Sequence, residues 1–178
     1  MKISFVQDWL EKGNHEFEAG NNNGYIYAFF CYFIAFNWLY SEVEDTIRAN
    51  HPNKKKIYEY ELIKEYLQGI FLNEKFKGYD PYALLVEDTR REIKSHLVAT
   101  DDLHHSVTVR NIKSYIKDET NPKIQLFLCI YQIRCNLFHG SKDMRNPHNQ
   151  ELVYAGACVL KDFLKKLCTF GLAGDDYV

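Results

Sequence analysis

Apolar residues recur at three- and four-residue steps along most of this chain and seldom alternate strictly, which predicts helices rather than strands. Positions 3–19 carry Ile3, Val6, Leu10 and Phe17 at mostly helical spacing, and Asn21-Asn22-Asn23-Gly24 supplies a turn after them. The run 25–50 is apolar on nearly every face at first, then turns amphipathic through Glu42, Glu44, Asp45 and Arg48. That is the pattern of one central helix emerging from a core, ended by His51-Pro52-Asn53. A helix is predicted over 57–76, with Leu62, Ile63, Tyr66, Leu67 and Ile70 buried, and another over 81–97, with Asp80 as its cap and Pro81 in its first turn. The pattern is lost over 98–109, and 108–116 can form one short helix.

Two clearer helices follow. The first bears an apolar stripe of Ile124, Phe127, Leu128, Tyr131 and Phe138, with Arg134 on or beside it. The second repeats Leu152, Ala155, Val159, Leu160, Phe163, Leu164 and Leu167, and its Ala155-Gly156-Ala157 lets a neighbouring helix approach closely. The expected fold is all-α, an antiparallel bundle of four or five main helices plus short ones, in a single domain spanning 1–178.

Composition narrows the function classes. The formal net charge of −2 argues against coating nucleic acid by bulk electrostatics, so any such contact must be local. The run Lys54-Lys55-Lys56 reads as a solvated loop. Five cysteines, none in a Cys-x-x-Cys pair, suggest a reducing compartment. No secretory signal is visible in the first ten residues, and the apolar stretch 25–40 falls short of the roughly 20 residues that cross a bilayer. A cytoplasmic protein without membrane contact is expected. Asp101-Asp102 and His104-His105 are adjacent pairs on a loop with no cysteine nearby, which does not define a metal site. No metal or other cofactor is expected.

The richest chemistry lies in Arg134-Cys135-Asn136-Leu137-Phe138-His139-Gly140. On one continuous helix a five-residue step turns about 500°, so Arg134 and His139 would point roughly 140° apart. Gly140 is the residue type found just past a helix end, and Asn146-Pro147 begins the next element, so 139–147 reads as a connection that lets His139 fold back beside Arg134. A histidine can move the proton of an RNA 2′-hydroxyl or of the leaving oxygen, and a guanidinium can fork onto nonbridging phosphate oxygens. This kit suits attack by the substrate's own hydroxyl and needs no metal. Asn136 could bind phosphate or hold the imidazole tautomer, while Lys142 and Arg145 could supply local positive charge. The structural alternative pairs Arg134 with a glutamate such as Glu151 and leaves His139 on a terminal carbonyl.

Residues 133–142, Ile-Arg-Cys-Asn-Leu-Phe-His-Gly-Ser-Lys, resemble the signature of the HEPN superfamily, particularly its Apea-like branch. The aromatic-rich Phe36-Asn37-Trp38-Leu39-Tyr40 is similar to the helix that packs through the middle of that family's bundle. The resemblance implies a metal-independent endoribonuclease acting on single-stranded RNA, often in a defence or toxin–antitoxin setting, as a homodimer that brings two motifs into one cleft. It implies that Arg134 binds phosphate, that His139 is the acid/base, and that an antitoxin or regulatory protein is a partner. Cys135 stands where many active members carry a polar residue. Ser141 stands where one toxin subgroup has a tyrosine, so modification by a nucleotidyltransferase is not implied. The alternative function is a catalytically silent HEPN module that binds a nucleotide or a partner protein.

Overall fold

The structure, a computed structural model, describes residues 2–85, 87, 119, 121–138 and 143–172. Among them are six α-helices, two short 3-10 turns and no strand, so the fold is an all-α helical bundle. Helix α1 (Lys2–Glu18) ends at Gly20, whose φ of 67° is left-handed. Asn21 then caps α2 (Asn22–Ser41), its Oδ1 accepting the Gly24 N–H at 2.9 Å. A Cβ at Gly24 would lie 2.4 Å from the Glu16 carbonyl oxygen, so the missing side chain is what lets the start of α2 sit against the end of α1. Helices α1 and α2 pack along one another, and the short link between them makes them antiparallel.

The central apolar run is two helices rather than one. Helix α2 stops at Ser41, and α3 (Glu44–Asn50) starts after Val43 with Glu44 and Asp45 in its first turn, where acidic groups favour a helix start. Arg48 closes α3 on itself, its Nε donating to Glu44 at 3.0 Å. Helix α4 (Glu59–Leu72) begins where Glu61 accepts the Tyr58 N–H at 2.9 Å, and a 3-10 turn at Glu74–Phe76 follows it. Ile63, Tyr66, Leu67 and Ile70 are buried as the spacing predicts, whereas Leu62 is only partly buried. Asp80 caps a segment with Pro81 in its first turn, but that segment is a 3-10 helix, Pro81–Leu84, and the helix expected over 81–97 does not start as an α-helix. Apart from Leu85 and Glu87, the remainder of that range lies outside the described residues, as do the loop and short helix expected over 98–116.

Helix α5 (Pro122–Phe138) is buried on almost every face, with Leu126, Cys129, Ile130 and Ile133 joining the expected stripe. Phe138 leaves that stripe: it is 63% exposed. Helix α6 (Pro147–Phe170) starts at the Asn146-Pro147 pair, Asn146 accepting the His148 N–H at 3.0 Å, and ends at Gly171 with φ of 68°. The expected close approach is at Gly156, where a Cβ would stand 2.8 Å from the Phe29 ring.

Helix α2 is the hub, packed by α1, α4 and α6. Its Phe36 meets Phe127 of α5 and Phe163 of α6, with Phe127 and Phe163 centroids 4.7 Å apart. The aromatic richness of the chain is therefore largely core packing. The run Asn22–Asn50 is long and apolar enough to cross a membrane, more than the 25–40 stretch suggests, yet half of its most apolar window is buried inside the bundle. Burial by three helices explains that apolarity without a bilayer.

Candidate functional site

The last turn of α5 presents Arg134 toward α2 and the first residue of α4. Its guanidinium carbon lies 5.4 Å from the centre of the Phe33 ring and 4.6 Å from that of Phe138, so two aromatic faces hold it. Nη1 stands 3.6 Å from Glu59 Oε2, and each side chain remains 28% exposed. Nη1 also lies 4.0 Å from Cys135 Sγ, while the buried Nε has no hydrogen-bond partner among the described residues. Burial opposes the guanidinium's charge, but Glu59, Cys135 and Tyr40 favour it more, and its pKa is raised. The carboxylate expected from sequence, Glu151, is not the partner. It lies exposed on α6, and the pairing with Glu59 is set by how α4 packs on α5.

Glu59 belongs to a small polar network. The Tyr40 hydroxyl bonds Glu59 and lies 2.5 Å from Asn37 Oδ1, and Glu59 and Cys135 both act on the Tyr131 phenol, whose pKa is raised chiefly by burial. Burial, then the charge of Glu59, pushes the Tyr40 phenol far above its ordinary value. Burial likewise raises the Cys135 thiol, although bonds from Tyr131 and Arg134 oppose the shift, so the cysteine stays a neutral thiol near neutral pH.

A concavity of about 320 Å³ opens beside this network, lined by Phe30, Phe33, Ile34, Asn37, Arg134 and Phe138. The Phe30 and Phe138 rings meet edge to face with centroids 5.1 Å apart. Arg134 is the lining's cation and Asn37 its neutral amide.

The other residues singled out from sequence fall elsewhere. Asn136 accepts from Gln132 Nε2 at 2.8 Å and does not line the concavity. Two residues along a helix is a turn of about 200°, so Asn136 and Arg134 leave α5 on opposite sides. Arg145 is 92% exposed and holds Asp143 through Nε and Nη2, both at 2.9 Å, which offsets its positive charge locally. In the lysine run, Lys54 bonds Glu61 at 2.7 Å and Lys56 lies over the Tyr58 ring. His139 and Lys142 lie outside the described residues. His139 directly follows Phe138, the last described residue of α5.

Sequence reasoning did not find Glu59, Tyr40 or the pocket role of Asn37 and Phe30. The amide of Asn37 was the available signal, the one amide side chain within the apolar run 25–40. Nothing in local spacing links Glu59 to Arg134. No protein family model, curated protein or solved structure matches the chain, so the family resemblance rests on residues 133–142 and 36–40 alone.

Proposed function

We propose that this protein is a HEPN-type endoribonuclease that cleaves single-stranded RNA without a metal. The supporting observation is the Arg134 guanidinium: it is held by two aromatic rings in the wall of an open concavity, on a turn of α5 five residues before His139 in sequence. Arg134 takes the nonbridging oxygens of the scissile phosphate and stabilises the charge that builds there. His139 removes the 2′-hydroxyl proton or protonates the leaving oxygen, and the product carries a cyclic phosphate. A homodimer would bring two such motifs into one cleft, and an antitoxin or regulatory protein would control it. The five free cysteines fit a reducing cytoplasmic setting.

The Arg134–Glu59 pair favours a second reading, a catalytically silent module that binds a nucleotide or a partner protein, because a guanidinium already facing a carboxylate is less available to a phosphate. Incubation of mixed RNA with purified protein in chelator separates the two. The nuclease gives cyclic-phosphate ends that vanish in a folded His139→Ala variant. Cleavage indifferent to that substitution, or none by the wild type, rejects the nuclease.

A further inference from the structure

The geometry points to a nucleobase subsite in the concavity beside Arg134, in which one unpaired base stacks on Phe138 and Phe30, meets the Asn37 amide with its edge, and leaves its adjoining phosphate on the guanidinium. This inference rests on the proposed RNA chemistry and adds to it a residue set that selects which nucleotide is bound.

The lining argues for that occupant. Four of its six residues are apolar and three of those are aromatic, which suits a flat π-surface. The remaining two, Asn37 and Arg134, ask for a hydrogen-bonding edge and an anion from the same ligand. A nucleotide joins a ring, a polar edge and a phosphate on one short ribose linker. An apolar peptide side chain would cover the rings but leave the amide and the guanidinium without partners on its side, a loss that disfavours binding. The volume, about 320 Å³, lies at the small end of ligand pockets and matches one ring system rather than a stacked pair.

Access is also arranged. Phe138 is 63% exposed and Ile34 39%, so the rim is open to solvent, whereas Phe33 is buried and forms the floor. Phe138 already supports the Arg134 guanidinium at 4.6 Å and the Phe30 ring edge at 5.1 Å, so a base docked on its free surface would be carried next to the cation. The Tyr40 hydroxyl oxygen lies 2.5 Å from Asn37 Oδ1, so one side of the amide already has a polar neighbour within the bundle.

The test uses the full chain and a fluorescent oligoribonucleotide carrying 2′-O-methyl groups, which cannot undergo attack, so binding is read apart from cleavage. A single abasic site is walked along the oligonucleotide while anisotropy gives Kd. The expected result is one position at which loss of the base weakens binding about tenfold, the size of one base–aromatic stack. That penalty should disappear in Phe138→Ala, and Asn37→Leu should flatten the preference among the four bases at that position. A flat abasic walk, no binding of the intact oligonucleotide, or a Phe138→Ala variant altered only in oligomeric state would each overturn the subsite. Failure of the nuclease reading shows differently, as an intact unmodified RNA whose binding still depends on that one base.

Discussion

Arg134 of α5 faces Glu59, the first residue of α4, across 3.6 Å, and this pair joins the candidate phosphate ligand to a carboxylate held by Tyr40. Both members are partly exposed, so the pair contributes on the order of 1 kcal/mol. On the proposed reading, an incoming phosphate competes with a modest partner, not with a sealed internal ion pair. Glu59→Gln keeps an acceptor for Tyr40 and removes the competing charge. RNA binding should tighten roughly fivefold, measured by anisotropy at fixed salt. Weaker binding in that variant would mean that Glu59 aims the guanidinium instead of competing for it.

Arg134→Lys keeps a positive charge but loses the planar fork and its contact with two rings. Cleavage should fall by about 100-fold or more, because an ammonium does not reproduce bidentate stabilisation of the transition state. The melting temperature should change little, since the side chain contributes through a half-open site. A lysine variant with wild-type turnover would remove Arg134 from the mechanism.

Gly24→Ala tests the crossing of α1 and α2. On an isolated helix this change is worth roughly 0.5–1 kcal/mol in favour of alanine. Here the new methyl would meet the Glu16 carbonyl oxygen at 2.4 Å, a backbone atom that cannot move without shifting α1. The clash should win, giving a net loss of about 1–3 kcal/mol in urea unfolding. A stabilised variant would show that the two helices are not so closely packed.

Alkaline pH should unfold the bundle before neutral pH weakens it. Burial raises the phenols of Tyr40, Tyr66, Tyr79 and Tyr131 above the ordinary value of 10.0. Above that value the unfolded chain loses phenolic protons that the folded chain retains, so unfolding becomes more favourable as pH rises. The contribution is fully present below about pH 10 and is lost as pH climbs from there towards the raised values. Thermal melts followed by circular dichroism, with tyrosinate absorbance at the same pH, should show melting temperatures falling together with ionisation. Free titration of all phenols near pH 10 in a still-folded protein would contradict this.

The helices were legible because their signals are local. The three- and four-residue apolar spacing of α6, the Asn146-Pro147 start and the Asp80 cap depend on neighbours in sequence, and the structure has them where expected. The break at Val43 was not legible, since the residues around it are compatible with a continuous helix and no proline or glycine marks the stop. Phe138 was misplaced for a related reason: periodicity assigns a face but not how fully each residue on it is covered, and Phe138 is 63% exposed.

The candidate site divides along the same line. The sequence by itself determined the all-α class and the residue types of the 134–139 segment, because each follows from residues within a few turns of one another, whereas the helix end expected between Arg134 and His139 falls outside the described residues. Only the tertiary structure decided that Arg134 faces Glu59, that Asn136 turns away, and that Phe30, Ile34 and Asn37 wall a concavity with Phe138. Those relations join α2, α4 and α5. They are fixed by how buried aromatic rings interlock between helices, a long-range packing outcome that periodicity within any single helix does not encode.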